Sequence, residues 1–201
     1  GQQFRLIVPA SASLEESPED LFESLSTASD RLRVGDRDED VFLVAAPTPD
    51  GIEWGVRGLH TGGSDVWVRD FERLDEADNV WLHEYVHTRQ GYAPAADARW
   101  FTEGSAVYYA ALLTLEQERI GYDAFRDRLQ AGERDYDGSI LAEPQTWQGN
   151  ANYHAGSLVA GDLDRRIRLA SDGETSLQAV FRRMNGKDGT VSAADLQSYL
   201  A

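Results

Sequence analysis

The sequence WLHEYVHTRQ, residues 81–90, contains two histidines four positions apart, His83 and His87, with Glu84 between them. Positions four apart lie on nearly the same face of an α-helix, so two imidazoles at this spacing point toward one place. Zinc accepts imidazole nitrogens as ligands, and a carboxylate beside the ion is placed to take a proton from a metal-activated water. The spacing predicts His83 and His87 as zinc ligands and Glu84 as a general base. The alternative is a helix with two structural histidines.

A catalytic zinc site needs a third protein ligand and an open fourth position. The next predicted helix contains WFTEGSAVYY, residues 100–109, in which Glu103 follows His87 by 16 positions within an apolar stretch. Gly104 and Ser105 come directly after it, and small residues there allow a close approach to the preceding helix. The pattern predicts Glu103 as the third ligand. The alternative is a carboxylate on a solvated helix face.

Predicted strands are concentrated in the first third of the chain, and predicted helices follow them. Alternating or continuous apolar runs predict strands at 4–10, 41–47, 52–59 and 65–71, with a hairpin turn at HTGGS between the last two. Helical periodicity and capping residues predict helices at 17–32, 76–90, 98–120, 122–132, 153–171, 176–186 and 192–201, and a long loop at 135–150. This order predicts an α+β fold in one domain, with a β-rich lobe at 1–90 and a helical lobe at 91–201.

Three segments resemble the gluzincin metallopeptidases, and most of all the catalytic domain of the glycyl aminopeptidase family. They are HEYVH, WFTEGSAVYY and YHAGSLVAGDLDRRIR, the last at residues 153–168. The resemblance implies a zincin-like (thermolysin-like) domain with an N-terminal β-sheet lobe, a C-terminal helical lobe and an active-site cleft between them. It also implies that Tyr153 donates a hydrogen bond to the oxyanion of the tetrahedral intermediate. The alternative for Tyr153 is a helix-start residue without a catalytic role.

The sequence departs from the aminopeptidase pattern in ways that affect substrate specificity. The interval between His87 and Glu103 is shorter than in those relatives, so the intervening loop is trimmed. The glycine-rich strand motif that carries a glutamate for the substrate amino group is not evident, since the nearest segment, GLHTGGSD at 58–65, lacks it. The resemblance also does not extend to the large flanking domains of the full-length relatives. Aminopeptidase and endopeptidase action therefore both stay open.

The charge balance of the chain bears on its partners. Asp and Glu number 35 against 19 Lys and Arg, which gives a formal net charge of −16, and Lys187 is the one lysine. Such a surface predicts adaptation to high salt, as in a halophile, where screening removes the repulsion between carboxylates. The alternative is an acidic protein from ordinary salt. Either interpretation predicts no nucleic-acid partner, because phosphate binding needs basic patches.

Cysteine content and apolar runs limit the kinds of site and location. The chain has no cysteine, which excludes disulfides and thiolate metal sites. The longest apolar run, VYYAALLTL at 107–115, is about half the length that spans a bilayer. No transmembrane segment is predicted, and the compartment stays open, with an extracellular or cell-envelope location slightly favoured over the cytoplasm.

The patterns together predict a zinc peptidase with one Zn²⁺ per chain and a peptide or protein substrate lying along an edge strand of the 52–71 hairpin. Two alternatives are a catalytically inactive, zinc-stabilised binding or scaffold module derived from a peptidase, and a metal-free helical domain. His60 and His154 are interpreted as structural. The segment 185–196 does not fit a calcium loop, because Met184 and Gly186 would occupy ligand positions without a side-chain oxygen. It predicts a helix–turn–helix with Ser192 as N-cap. Substrate and oligomeric state stay open.

Overall fold

The computed structural model describes residues 1–49, 52–133, 136 and 138–200 and has a mixed α+β fold. The chain forms two compact units. The first comprises Gly1–Leu32, Arg37–Arg89 and Tyr109–Gly121, and the second comprises Arg33–Asp36, Gln90–Tyr108 and Tyr122–Ala201. Residues 109–121, which the sequence assigns to the helical lobe, therefore belong to the first unit, together with the strands.

The first unit contains the larger sheet of the described residues. Its elements are β1 (Gln3–Ile7), α1 (Pro18–Arg31), β2 (Asp40–Ala46), β3 (Gly58–Gly62), β4 (Asp65–Arg69) and α2 (Val80–His87). The strand order is β1-β2-β4-β3, in which β1, β2 and β4 are parallel and β3 is antiparallel to β4. Among the described residues β3 pairs with β4 alone, so it is an edge strand. Helix α2 packs against β3 and β4.

Alternation along the strands explains how the sheet forms its buried face. Val41 and Leu43 of β2 and Val66 and Val68 of β4 are buried, while their neighbours along each strand are more exposed. Successive side chains of a strand point to opposite faces, so these four residues share the face that is covered. The fold class predicted from the sequence, α+β, is confirmed at this level.

The predicted strand at 52–59 is wrong over most of its length, because β3 begins at Gly58 and continues to Gly62. The segment before β3 is not a strand, and it contacts the rest of the unit through the Trp54 side chain. The Trp54 indole Nε1 donates to the Pro47 carbonyl at 3.0 Å, and its ring packs on Trp67 at 5.2 Å between centroids. The hairpin turn is consequently shorter than HTGGS, and His60 lies within the strand.

The second unit is mainly helical. Its elements are β5 (Ala93–Pro94), the first part of α3 (Trp100–Glu116), α4 (Tyr122–Gln130), α5 (Ala151–Ala170), α6 (Leu177–Asn185), β6 (Thr190–Val191) and α7 (Ala193–Leu200). The short parallel pairing of β5 with β6 is not predicted by the sequence. Residues 135, 137 and 201 of the predicted loop and last helix lie outside the described residues. The helices named here begin and end close to their predicted limits, except that α3 ends at Glu116 instead of residue 120.

Two hydrogen-bonded carboxylates organise helix ends in the second unit. The Asp195 amide donates to Ser192 Oγ at 3.2 Å, and the Ser192 amide donates to Asp195 Oδ2 at 2.9 Å, which confirms the predicted N-cap. Buried Asp164 of α5 accepts from the Leu177 amide at the start of α6 and from the Tyr108 hydroxyl of α3, both at 2.7 Å. Asp164 therefore connects three helices. Among the described residues, no helix combines the length and the apolarity needed to cross a membrane.

Candidate metal centre

Helix α2 is shorter than predicted, because a buried asparagine stops it at its N-terminal end. Asn79 Oδ1 accepts from the Leu82 amide at 3.1 Å, as an N-cap does. The side-chain amide nitrogen of Asn79, Nδ2, donates to the Leu74 carbonyl at 3.1 Å and to Thr114 Oγ1 at 3.2 Å. The helix therefore begins at Val80 and not at residue 76.

His83 and His87 face each other one turn apart on α2. Their Nε2 atoms are 3.1 Å apart, and their rings are 4.7 Å apart between centroids with an interplanar angle of 84°. Two nitrogens bound to one tetrahedral zinc, each about 2.0–2.1 Å from the ion, are about 3.3 Å apart. The observed separation is therefore close to the separation that a shared zinc requires.

Glu103 joins the two histidines in one group of ligand atoms. Among the described residues, His83, His87 and Glu103 are grouped with one ligand atom each, all within 4.8 Å of one another, and all three residues are half-buried. Two imidazoles and a carboxylate are a common donor set for catalytic zinc. The chemistry and the spacing of these side chains fit the metal that the sequence predicts.

Glu84 follows His83 in helix α2 and is buried, with 6% of its surface exposed. Its side chain packs against β3, where a Cβ added to Gly58 would lie 2.8 Å from Glu84 Cγ and 2.9 Å from Glu84 Oε1. A carboxylate loses hydration on burial, so this position requires a compensating interaction. The sequence predicts Glu84 from the motif but gives no indication of its contact with Gly58.

Strand β3 also reaches the second histidine of the motif. The His60 ring is nearly parallel to the His87 ring, with 6.3 Å between centroids and an interplanar angle of 18°. The His60 Nε2 lies 2.7 Å from the Gly63 carbonyl oxygen, which only accepts hydrogen bonds, so this nitrogen is the donor. His60, which the sequence analysis interprets as structural, thus makes two contacts, one within the hairpin and one with His87.

Residues of the connection between α2 and α3 contact the sequence neighbours of Glu103. The side-chain amide nitrogen of Gln90, Nε2, donates to the Thr102 carbonyl at 2.8 Å and to Ser105 Oγ at 3.2 Å. These two acceptors lie on either side of Glu103 in the sequence. Burial raises the pKa of Tyr92 above its usual range; hydrogen bonds with Thr102 and Ser105 act in the opposite direction, and the charge of Glu103 adds to the increase. Gln90 and Tyr92 were missed by sequence reasoning, because no motif marks a side chain that returns to a later helix.

Gly104 allows a close helix contact, but its partner is α5 instead of the preceding helix that the sequence analysis expects. A Cβ added to Gly104 would lie 2.6 Å from the carbonyl carbon of Gly156 and 2.8 Å from its oxygen. Tyr153 is half-buried in the first turn of α5, three residues before Gly156. This contact brings the part of α3 that carries Glu103 against the part of α5 that follows Tyr153.

His154, the neighbour of Tyr153, has partners of its own. Arg128 Nη1 lies 2.9 Å from His154 Nδ1, and the Tyr136 ring stacks on the imidazole at 5.7 Å between centroids. Because the guanidinium is a donor only, Nδ1 is the acceptor in this contact. The interpretation of His154 as a structural residue stays a prediction.

Several solved structures are similar to the chain over most or all of its length. An M1 zinc metallopeptidase from Deinococcus radiodurans matches 100% of this chain at 21% identity with a TM-score of 0.73. An aminopeptidase N family protein from Idiomarina loihiensis matches 92% at 18% identity with a TM-score of 0.69. A two-domain M1 zinc metallopeptidase variant bound to L-tryptophan matches 100% at 20% identity with a TM-score of 0.71.

The chain spans less than half the length of these proteins, namely 45%, 39% and 45% of each in the same order. No family model and no curated protein matches it. Similarity at these identities concerns the fold, since function depends on the residues of the site. The chain has the mixed α+β fold of a domain of M1 zinc metallopeptidases.

Proposed function

We propose that this protein is a zinc-dependent peptide hydrolase. The observation that carries the proposal is the group formed by His83, His87 and Glu103, whose ligand atoms lie within 4.8 Å of one another. Buried Glu84 lies next to His83 in the same helix. A purely structural zinc site has no use for a buried general base, so Glu84 favours the hydrolase over an inactive zinc-stabilised module.

Each residue of the site has a defined role in the proposed reaction. His83, His87 and Glu103 hold one Zn²⁺, which when bound supplies a Lewis acid that polarises a carbonyl and activates water. Glu84 takes a proton from the attacking water and passes it to the leaving amine. Tyr153 donates a hydrogen bond to the negative oxygen that develops on the scissile carbonyl. The Gly104–Gly156 contact supports this role, because it brings α5 against the helix that carries Glu103.

The edge strand β3 is the proposed site for the peptide backbone. The Arg69 amide donates to the Arg57 carbonyl at 3.0 Å, so this antiparallel pair is hydrogen-bonded. Hydrogen-bonded and non-hydrogen-bonded pairs alternate along the ladder, so the backbone groups of Gly58 and His60 point away from β4. An extended peptide would pair with these groups as an added strand. Gly58 and His60 are also the residues that contact Glu84 and His87.

The finer assignment follows the resemblance to the glycyl aminopeptidase family. We propose that the chain acts as one zincin-type catalytic domain and that peptides or proteins are its substrates. The similarity in fold to M1 zinc metallopeptidases supports this assignment. Strand β3 carries no carboxylate for a substrate ammonium group, since its sequence is GLHTG. Substrates with free and with acetylated N-termini therefore distinguish aminopeptidase from endopeptidase action.

The test measures zinc content and peptide hydrolysis of matched variants in high salt. We expect about one zinc per chain in the wild type and in Glu84→Gln, and loss of zinc in Glu103→Ala. Hydrolysis of fluorogenic peptides should fall at least about 100-fold in Glu84→Gln, because the general base is lost. Glu116→Ala is the control on the same helix, since Glu116 pairs with Arg31 at the surface.

Three outcomes would contradict the proposal. Wild-type turnover in Glu84→Gln would remove the general-base role. A wild type that binds no zinc after incubation with the metal would favour the metal-free helical domain, while bound zinc without hydrolysis of any peptide would favour the inactive module.

A further inference from the structure

Strand β3 crosses helix α2 at a position where there is no room for a side chain. A Cβ added to Gly58 would lie 2.8 Å from Glu84 Cγ, 2.8 Å from Val80 Cγ1 and 2.9 Å from Glu84 Oε1. Real Cβ atoms essentially never approach other heavy atoms this closely, so any larger residue at 58 requires a shift of both side chains or of the strand itself. The space next to Gly58 is occupied by Glu84 itself.

The need for glycine at this position comes from space and not from backbone conformation. Gly58 is not one of the glycines with a positive φ, whereas Gly62 and Gly63 of the same hairpin have φ values of 112° and 58°. A glycine in a strand without such a φ indicates close approach of another group. In this hairpin the approaching group is the carboxylate side chain of Glu84.

The two obstacles to a side chain at 58 differ in how they respond. Val80 is β-branched, lies in the first turn of α2 and is 6% exposed, so its side chain has few alternatives. Glu84 has three side-chain torsions, and its carboxylate is the far end of a flexible chain. A methyl group at 58 would therefore be accommodated mainly by the Glu84 side chain, with a smaller shift of Val80 or of the strand that relieves the contact with Val80 Cγ1.

We propose that Gly58 is a positioning residue for Glu84, and that its missing side chain fixes where the carboxylate lies relative to His83 and His87. The role of that carboxylate as a general base rests on the function proposed above. The two residues that an added Cβ would meet most closely, Glu84 and Val80, are not proposed metal ligands, so a substitution at 58 should alter proton transfer and leave the metal bound. Proton transfer is sensitive to such displacement because the base must lie within hydrogen-bond distance of the water.

The first test compares Gly58→Ala with Gly55→Ala. Gly55 lies three residues earlier, in the exposed segment that precedes β3, and an added Cβ there meets nothing within 4 Å. We expect Gly58→Ala to bind zinc with wild-type affinity and to lose about 100-fold in kcat, as a misplacement of about 1 Å can cause. Gly55→Ala should match the wild type in both. Loss of zinc together with activity, or unchanged kcat in Gly58→Ala, would overturn the proposal.

The second test is a stability cycle that needs neither zinc nor substrate. Gly58→Ala is introduced into the wild type and into Glu84→Ala, and the melting temperature of each apo protein is measured. We expect Gly58→Ala to lower the melting temperature in the wild type and to lower it much less in Glu84→Ala, where the carboxylate side chain is gone. If Gly58→Ala alone does not fold, the double variant should recover folding.

The outcomes of the cycle separate this inference from the proposed function. An equal decrease in both backgrounds, or failure of the double variant to fold, would assign the clash to Val80 or the strand and overturn the inference. Wild-type turnover in Glu84→Gln would instead overturn the general-base role, while the stability cycle would still report the contact between Gly58 and Glu84.

Discussion

The region around α2 and the region around the start of α3 both depend on a glycine contact, but the contacts are of different kinds. Next to α2, a methyl group at Gly58 would meet the side chains of Glu84 and Val80. At the start of α3, a methyl group at Gly104 would meet the backbone of Gly156. One contact gives way by moving a side chain, and the other only by separating two helices.

Because of this difference, a substitution at one contact should affect function and a substitution at the other should affect the fold, although both contacts belong to one candidate centre. A side chain that moves aside changes the position of a reacting group at small cost to the fold. Two backbones that must separate lose the packing along their whole contact, because protein interiors have few voids to absorb a shift. We therefore expect substitutions near Glu84 to affect turnover, and substitutions near Glu103 to affect folding first.

The largest expected effect is that of Gly104→Ala on stability. The added methyl would lie 2.6 Å from the Gly156 carbonyl carbon, so we expect a loss of about 3 kcal/mol in the free energy of unfolding. Gly156→Ala is the matched control, because its Cβ would lie 3.1 Å from Gly104 Cα and 3.3 Å from the Trp100 carbonyl oxygen. Urea denaturation measures both variants. Wild-type stability in Gly104→Ala would remove the contrast with Gly58.

A smaller effect is expected from Asn79→Ala at the start of α2. This change removes the acceptor for the Leu82 amide and leaves the buried Leu74 carbonyl without its donor, at a cost of about 2 kcal/mol. Ser17→Ala removes the N-cap of α1, whose Oγ accepts from the Asp20 amide at an exposed position, and should cost about 1 kcal/mol or less. Thermal unfolding compares the two. A cost for Asn79→Ala no larger than that for Ser17→Ala would show that burial adds nothing to this cap.

The smallest effects are expected at two helix ends with the same backbone geometry. Glu118 follows α3 with φ of 59°, and Asp172 follows α5 with φ of 52°. Glycine adopts this conformation without a Cβ penalty, whereas aspartate tolerates it better than glutamate. Glu118→Gly should therefore stabilise the protein by about 0.5–1 kcal/mol, and Asp172→Gly by less. Equal gains would show that residue type at these ends does not matter. Chemical denaturation at one salt concentration measures the difference.

Most elements of the fold could be predicted from local patterns, and the errors have physical causes. Helix α1 begins after its predicted cap, because Ser17, Pro18 and an acidic first turn act within a few residues. The strand predicted at 52–59 fails because Trp54 packs across the sheet on Trp67. Helix α2 starts late because Asn79 binds a carbonyl and a distant threonine hydroxyl, Thr114. Each error arises from a contact with a residue far from the element or on another strand.

For the candidate centre, the sequence by itself determined which side chains are suitable and how two of them are spaced. The interval between His83 and His87 suffices for this, because the helix period places them on one face wherever the helix lies. Only the tertiary structure decided that Glu103 lies within 4.8 Å of them, that Gly104 meets α5, and that Gly58 leaves the space that Glu84 fills. Close approach depends on atoms that are distant in the chain, and no local spacing records them.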